Sequence, residues 1–239
     1  MPVARGPSSK TTLEIEWRYP DYKPATTPAA TGSVALPVRA ALAPGEAMAA
    51  LTSGDRRPVI VLRECLKCTG TEDALMSNKE DNERTYLLSR WFQCLKVSPD
   101  VLEEDHPFHA LFSEDKPAHL FIANADGSAR HDLAGEHSRR ELWGYMEAAI
   151  ETNYTSSAEA ALGKLAKLLD EMDETDRRLG ELETRHELLL GDGKGDSPAA
   201  QKLQKQIVER RARRDELLKE ADEVSALELR PTASGAVGK

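Results

Sequence analysis

Through the last third of the chain apolar residues recur at alternating steps of three and four: Leu165, Leu168, Met172, Thr175, Leu179, Leu182, His186 and Leu189. That spacing keeps one stripe of a helix facing a partner. Gly191-Asp192-Gly193-Lys194-Gly195-Asp196-Ser197 breaks the helix, Pro198 suits the first turn of a second one, and Leu203, Ile207, Arg210, Arg214, Leu217, Ala221 and Val224 resume the pattern. Layers facing across an antiparallel pair must keep one register, and these do. Position 186 meets 203, 182 meets 207, 179 meets 210, 175 meets 214, 172 meets 217, 168 meets 221 and 165 meets 224. Residues 155–229 are therefore expected to form an antiparallel α-helical hairpin with a coiled-coil seam. Acidic Asp170, Glu171, Asp173, Glu174, Asp176, Glu181 and Glu183 fall opposite Lys205, Arg210, Arg211, Arg213 and Arg214. Leu162, Leu169, Leu190 and Leu218 lie off the seam as an exposed second stripe.

Between Pro44 and Asn153 the pattern is that of an α/β domain. Ala47, Met48 and Leu51 share a helical face, and Gly54-Asp55 stops that helix before Pro58-Val59-Ile60-Val61-Leu62, an apolar run of the kind that forms a strand buried on both faces. A helix capped at Thr71 is expected to run through Met76 and on towards Leu88, with Trp91 to Val97 as the next buried strand. Pro107 to Phe112 suggests a short helix. Ala118 to Ala123 and Ser128 to Leu133 read as two strands joined by Asn124-Ala125-Asp126-Gly127, a turn in which the glycine takes positive φ. Ser138 with Glu141 forms a capping box that opens the last helix of the domain.

Upstream, Thr12-Leu13-Glu14-Ile15-Glu16-Trp17-Arg18-Tyr19 alternates apolar and polar side chains, as a half-buried edge strand does. Prolines at 20, 24, 28, 37 and 44 then deny the backbone regular hydrogen bonding, so residues 1–43 read as a strand followed by an extended tether. Residues 44–153 form the domain, 155–229 the hairpin, and 230–239 a disordered tail.

Composition narrows the partners. A formal net charge of −9 opposes docking along a phosphate backbone, which excludes nucleic acid as a favoured partner. Nothing approaches the roughly 18 apolar residues of a membrane span, and the N-terminus leads into no apolar signal core, so a cytoplasmic protein is expected. The chain has 3 cysteines. Two of them form Cys65-Leu66-Lys67-Cys68, a spacing that in a reducing compartment points to thiol redox chemistry or to half of a metal site.

The order helix, strand, Cys-x-x-Cys, helix, strand, X-Pro, strand, turn, strand, helix resembles the thioredoxin superfamily over about residues 44–153. Gly45-Glu46-Ala47-Met48-Ala49-Ala50 leading into Arg57-Pro58-Val59-Ile60-Val61 resembles the opening of thioredoxin-like proteins. Lys116-Pro117-Ala118-His119-Leu120-Phe121-Ile122 before Asp126-Gly127 resembles the family's cis-proline strand and hairpin. The resemblance implies a thioredoxin-like mixed sheet flanked by helices and a protein-disulfide oxidoreductase activity without a cofactor. It assigns Cys65 as nucleophile and Cys68 as resolving thiol, with Pro117 beside the pair to hold an extended, disulfide-bearing protein substrate. Lys67 favours a thiolate there and Glu64 opposes it.

Two other readings stand beside this one. In the first, the same fold is a redox-inactive platform in an adaptor or assembly protein, and the hairpin binds a protein partner or a second copy of the chain. In the second, Cys65, Cys68, Cys94 and a histidine hold zinc; five of the six histidines lie between His106 and His137, but no second Cys-x-x-Cys completes the usual pattern, and no metal site is assigned. Cys94, among Trp91, Phe92 and Leu95, reads as a small core residue.

Overall fold

The apolar run after Pro58 becomes the central strand of a mixed sheet in the computed structural model, which describes residues 5–22, 39–65, 74–77, 81–133 and 137–231. The segment 66–73, with Cys68 and the helix start expected at Thr71, lies outside the described residues, as do most of the proline-rich stretch and residues 232–239. In chain order the elements are α1 (Pro7–Thr12), β1 (Trp17–Arg18), α2 (Pro44–Thr52), β2 (Val59–Arg63), α3 (Glu83–Ser89), β3 (Gln93–Val97), β4 (Leu120–Ala123), β5 (His131–Leu133), α4 (Arg139–Asn153), α5 (Ala158–Gly191) and α6 (Pro198–Ser225). Short 3-10 turns at Pro99–Leu102 and His109–Leu111 follow β3.

The five strands lie in the order β1-β3-β2-β4-β5. β1, β3 and β2 are parallel, whereas β4 runs antiparallel to β2 and β5 antiparallel to β4. Every residue of β2 is buried, which is why its sequence lacks alternation. Val59 and Val61 join Leu95, Val97, Phe121 and Ala123 in a cluster with Ala47, Met48 and Leu51 of α2. The intervening Ile60, Leu62, Leu120 and Ile122 are equally buried. Leu142, Met146 and Ile150 form the buried stripe of α4, which packs on β4 and α3. Trp143 Nε1 donates to Thr85 Oγ1 at 3.0 Å, and Arg84 pairs with Glu147 at 2.6 Å.

The chain falls into two units, Met1–Glu14 with Ser157–Leu227 and Ile15–Ser156 with Glu228–Lys239, and it passes between them three times. This differs from boundaries at 43/44 and 229/230. The expected strand at Thr12–Tyr19 is reduced to Trp17-Arg18 on the sheet edge, and the residues before it form α1. The tether is fastened at its described ends: the Tyr22 ring meets Phe108 edge-on, Leu42 N donates to Pro107 O, and Arg39 bonds Asp100 and Glu103. The start of the expected tail is fastened too. Leu229 bridges to Tyr154 and Arg230 N donates to Asn153 O at 2.8 Å.

The helix expected from Thr71 towards Leu88 is not continuous where it is described. Met76 and Ser77 are irregular, and the Asn82 side chain accepts from Ser77 N and donates to Ser77 O, both at 2.8 Å, closing a turn ahead of α3. An asparagine offering both bonds competes with helix at that point.

In the unit that holds α5 and α6, each helix starts at a serine cap: Ser157 accepts from Glu159 N, and Ser197 accepts from Ala200 N with Pro198 behind it. Lys194 N closes the turn on Leu189 O at 2.8 Å, and Gly193 takes φ 73°. α5 buries Leu165, Met172, Thr175 and Leu179, and α6 buries Ile207, Leu217 and Ala221, with Arg210 and Arg214 half-buried among them. Ion pairs link Glu171 with Arg213 and Glu183 with Arg211. The second stripe is different from expectation: Leu162 and Leu169 are buried. α1 packs along this part of α5. Ser9 Oγ donates to Leu169 O at 3.0 Å, Gly6 N donates to Asp173 Oδ1 at 2.7 Å, and Ser8 N donates to Asp176 Oδ2 at 2.8 Å. Arg5 bonds both Asp170 and Asp173. A Cβ at Gly6 would lie 2.9 Å from Asp176 Oδ2, so glycine permits the approach. Asp170, Asp173 and Asp176 thus face the N-terminal segment rather than the basic residues of α6. Among the described residues no helix is long and apolar enough to cross a membrane.

Candidate functional site

β2 carries the candidate site to the end of the sheet. Arg63 N donates to His119 O at 2.7 Å and Glu64 N donates to Val97 O at 2.9 Å, so the ladder holds through Glu64 and Cys65 is the first residue to leave it. It leaves at the carboxyl end of a central strand, where open α/β sheets form ligand crevices. The β2–β4 register pairs Val59 with Ala123 and Leu62 with Leu120. Continued by three residues, it aligns Cys65 with Pro117. Cys65 is disulfide-bonded. Cys68, the expected resolving thiol, lies outside the described residues.

Pro117 departs from the expectation in one respect. The described residues contain no cis peptide bond, so Lys116–Pro117 is trans. Its carbonyl faces inward and accepts from Arg63 Nη2 at 3.1 Å. Sequence reasoning missed Arg63 altogether. The side chain is 5% exposed, and its Nε donates to Ala118 O at 3.3 Å while Nη1 reaches Glu64 O at 3.5 Å. Nη2 also lies 3.4 Å from His119 Nδ1, the cross-strand neighbour, which in this arrangement is the acceptor. Among the described residues no carboxylate pairs with Arg63, and burial pulls its pKa below the ordinary guanidinium value. The only available signal was a charged residue directly following a run of four buried apolar ones.

Comparison with protein-family models, with curated proteins and with solved structures gives no match. The chemistry therefore has to be read from the side chains themselves.

The third cysteine is set apart. Cys94 pairs in register with Ile60 near the opposite end of β2, is free and buried, and directs its thiol at Ser89 O at 3.7 Å. Burial pushes that thiol up to about 12. The folded state thus holds the proton that an unfolded chain releases near pH 9.0, and Cys94 contributes stability that is complete below pH 9 and lost as pH rises towards 12. Burial raises the Tyr154 phenol as well, so the comparison must be with a variant. We expect Cys94→Ala to flatten the fall in stability between pH 9 and 11, and Cys94 in the native chain to resist iodoacetamide at pH 8. Rapid native labelling of Cys94 would contradict the assignment.

Among the described residues no group of three or more His, Cys, Asp or Glu side chains is arranged to hold a metal ion. His106 Nδ1 accepts from Phe108 N at 3.0 Å and serves its own turn, whereas His109 Nδ1 and both ring nitrogens of His137 are buried and have no hydrogen-bond partner among the described residues. A separate cavity of about 390 Å³ lies between α5 and α6, lined by Arg177, Arg178, Arg185 and Arg210 with Glu181 and Glu209. Glu174 and Glu181 bond Arg177, whereas Arg185 and Arg210 carry no ion pair among the described residues.

Proposed function

We propose that the chain is a thiol–disulfide redox module of thioredoxin-like fold, with α5 and α6 serving as an antiparallel coiled-coil hairpin that binds a protein partner or a second copy. The observation that carries the reading is the disulfide-bonded Cys65 just beyond the carboxyl end of the central strand. The mixed sheet of three parallel strands continued by an antiparallel pair supports it, as does the flanking of that sheet by α2 and α4.

In the reducing direction the Cys65 thiolate attacks one sulfur of a substrate disulfide. A Cys65–substrate bond forms, the substrate S–S bond breaks, and the second substrate sulfur leaves as a thiolate. The Cys68 thiolate then attacks Cys65 Sγ, breaks the mixed disulfide and expels the first substrate sulfur. Two electrons have passed from the dithiol to the substrate, whose thiolates take up the two protons lost from Cys65 and Cys68. The thioredoxin-like reading places an extended, disulfide-bearing protein substrate beside Pro117.

For the hairpin, the arginine-lined cavity favours an acidic segment on the partner. Its cations are more numerous than its carboxylates.

Equilibration of the purified chain against graded glutathione or dithiothreitol couples, followed by thiol trapping and mass spectrometry, tests the redox reading. A single reversible two-electron transition at Cys65 and Cys68 is the expected result. Persistence of the disulfide, or of the dithiol, across every accessible potential would favour the adaptor reading instead.

A further inference from the structure

Resting on the redox reading, we propose that Arg63 is a positioning residue for Cys65: its buried guanidinium clamps the Pro117–Ala118 segment against β2 and stabilises the Cys65 thiolate. Four observations converge on it. Arg63 is 5% exposed, its described acceptors are neutral groups, it lies two residues before the disulfide-bonded cysteine, and it reaches across to the Pro117–Ala118 segment that leads into β4.

The geometry follows from strand alternation. Side chains two apart on an extended chain leave from the same face, separated by about 7 Å. The backbone bond from Glu64 N to Val97 O extends the ladder one residue past β2, and strand alternation continued from there puts Cys65 on the face of Arg63. Ahead of β4, His119 O accepts from Arg63 N, and the β2–β4 register continued past Leu62 and Leu120 aligns Pro117 with Cys65. The planar fork of Arg63 spans this corner: Nε and Nη2 hold the carbonyls of Ala118 and Pro117, and Nη1 turns back to Glu64 O. One side chain therefore ties the Pro117–Ala118 segment to the end of β2 from which Cys65 departs. A lysine supplies the charge but lacks the fork.

A buried cation bonded only to neutral groups keeps its field for whatever charge appears beside it. Carbonyl oxygens satisfy the N–H groups but do not cancel the charge. Among the described residues the charged or titratable groups of the adjoining segments are Glu64, His119, Asp115 and Lys116, with Lys96 on the neighbouring strand. Among the described residues no carboxylate from any of these reaches Arg63. When the Cys65 disulfide opens, the sulfur becomes the anion that this field favours. The reduced form is stabilised and the thiolate fraction at neutral pH rises.

The test measures the pH dependence of Cys65 alkylation by iodoacetamide in the reduced full-length chain, read by mass spectrometry, for wild type, Arg63→Met and Arg63→Lys. In Arg63→Met the midpoint is expected to rise by about one pH unit, the rate below that midpoint to fall about tenfold, and the equilibrium with glutathione to move about tenfold towards the disulfide. Arg63→Lys should hold the wild-type midpoint within about 0.3 unit while weakening substrate binding, seen as a raised KM for a disulfide peptide, because the charge stays and the fork is lost. A purely packing role would lower the melting temperature of both variants without moving the Cys65 midpoint, and that result overturns the proposal. If Arg63→Met does not fold, the lysine variant decides: a midpoint displaced by as much as one unit with the charge retained also overturns it. Failure of the wild-type pair to cycle in the glutathione titration is a different outcome, which removes the redox reading beneath it.

Discussion

Phe121→Ala is expected to lower the stability of the unit containing the sheet by about 3–5 kcal/mol, the usual cost of removing a buried aromatic ring. Phe121 is 1% exposed on β4, its ring centroid lies 5.8 Å from that of Phe112, and the Arg130 guanidinium covers it at 4.1 Å. Opposite it in register is Val61, so the ring anchors the cluster beneath α2 at the centre of the sheet. Truncation leaves a cavity that these neighbours cannot fill without shifting β2. All 3 tryptophans, at positions 17, 91 and 143, belong to this unit, so intrinsic fluorescence during urea unfolding follows it specifically. A loss below about 1 kcal/mol would mean that the cluster tolerates collapse and is not the core we describe.

Cys65→Ser is expected to abolish reduction of a model disulfide, and Cys68→Ser to accumulate a mixed disulfide with the substrate. The asymmetry is the diagnostic part. Without Cys65 no thiolate stands at the end of β2, whereas without Cys68 the first exchange proceeds and only the resolving attack is missing. Cys94→Ala should retain activity, since a buried thiol held up to about 12 carries almost no thiolate at neutral pH. Non-reducing mass spectrometry of each variant after exposure to an excess of disulfide peptide distinguishes the cases. Equal trapping by both serine variants would contradict the assigned order of attack.

Much of the architecture was legible because burial writes itself into periodicity. The run before Arg63 has the pattern of a strand buried on both faces and forms one, and Asn124 to Gly127 closes the expected turn with Gly127 at φ 84°. Met172, Leu179, Ile207 and Leu217, residues of the expected apolar stripes, are buried. α1 was illegible for the complementary reason. Pro-Ser-Ser-Lys-Thr-Thr has no apolar face, and its anchorage is made of backbone amides and hydroxyls reaching Asp173 and Asp176. Polar contacts of that kind leave no periodic trace. The break at Ser77 escaped notice because helix patterning on either side of Asn82 masks a side chain that closes a local turn. Arg63 was hidden because a charged residue at a strand end is ordinarily the point where the chain meets water. Its enclosure depends on carbonyls supplied more than fifty positions later.

The docking of α1 sets an order of events during synthesis. Six residues are too few to hold a helix in isolation, so Pro7–Thr12 becomes ordered only when α5 exists to receive it. Ser9 and its acceptor Leu169 are 160 positions apart, which places the whole sheet between them on the growing chain. α1 is thus among the last elements to fold, although it precedes the sheet in the sequence. Until then the aspartates of α5 lack their N-terminal partners, and Leu169 lacks its cover.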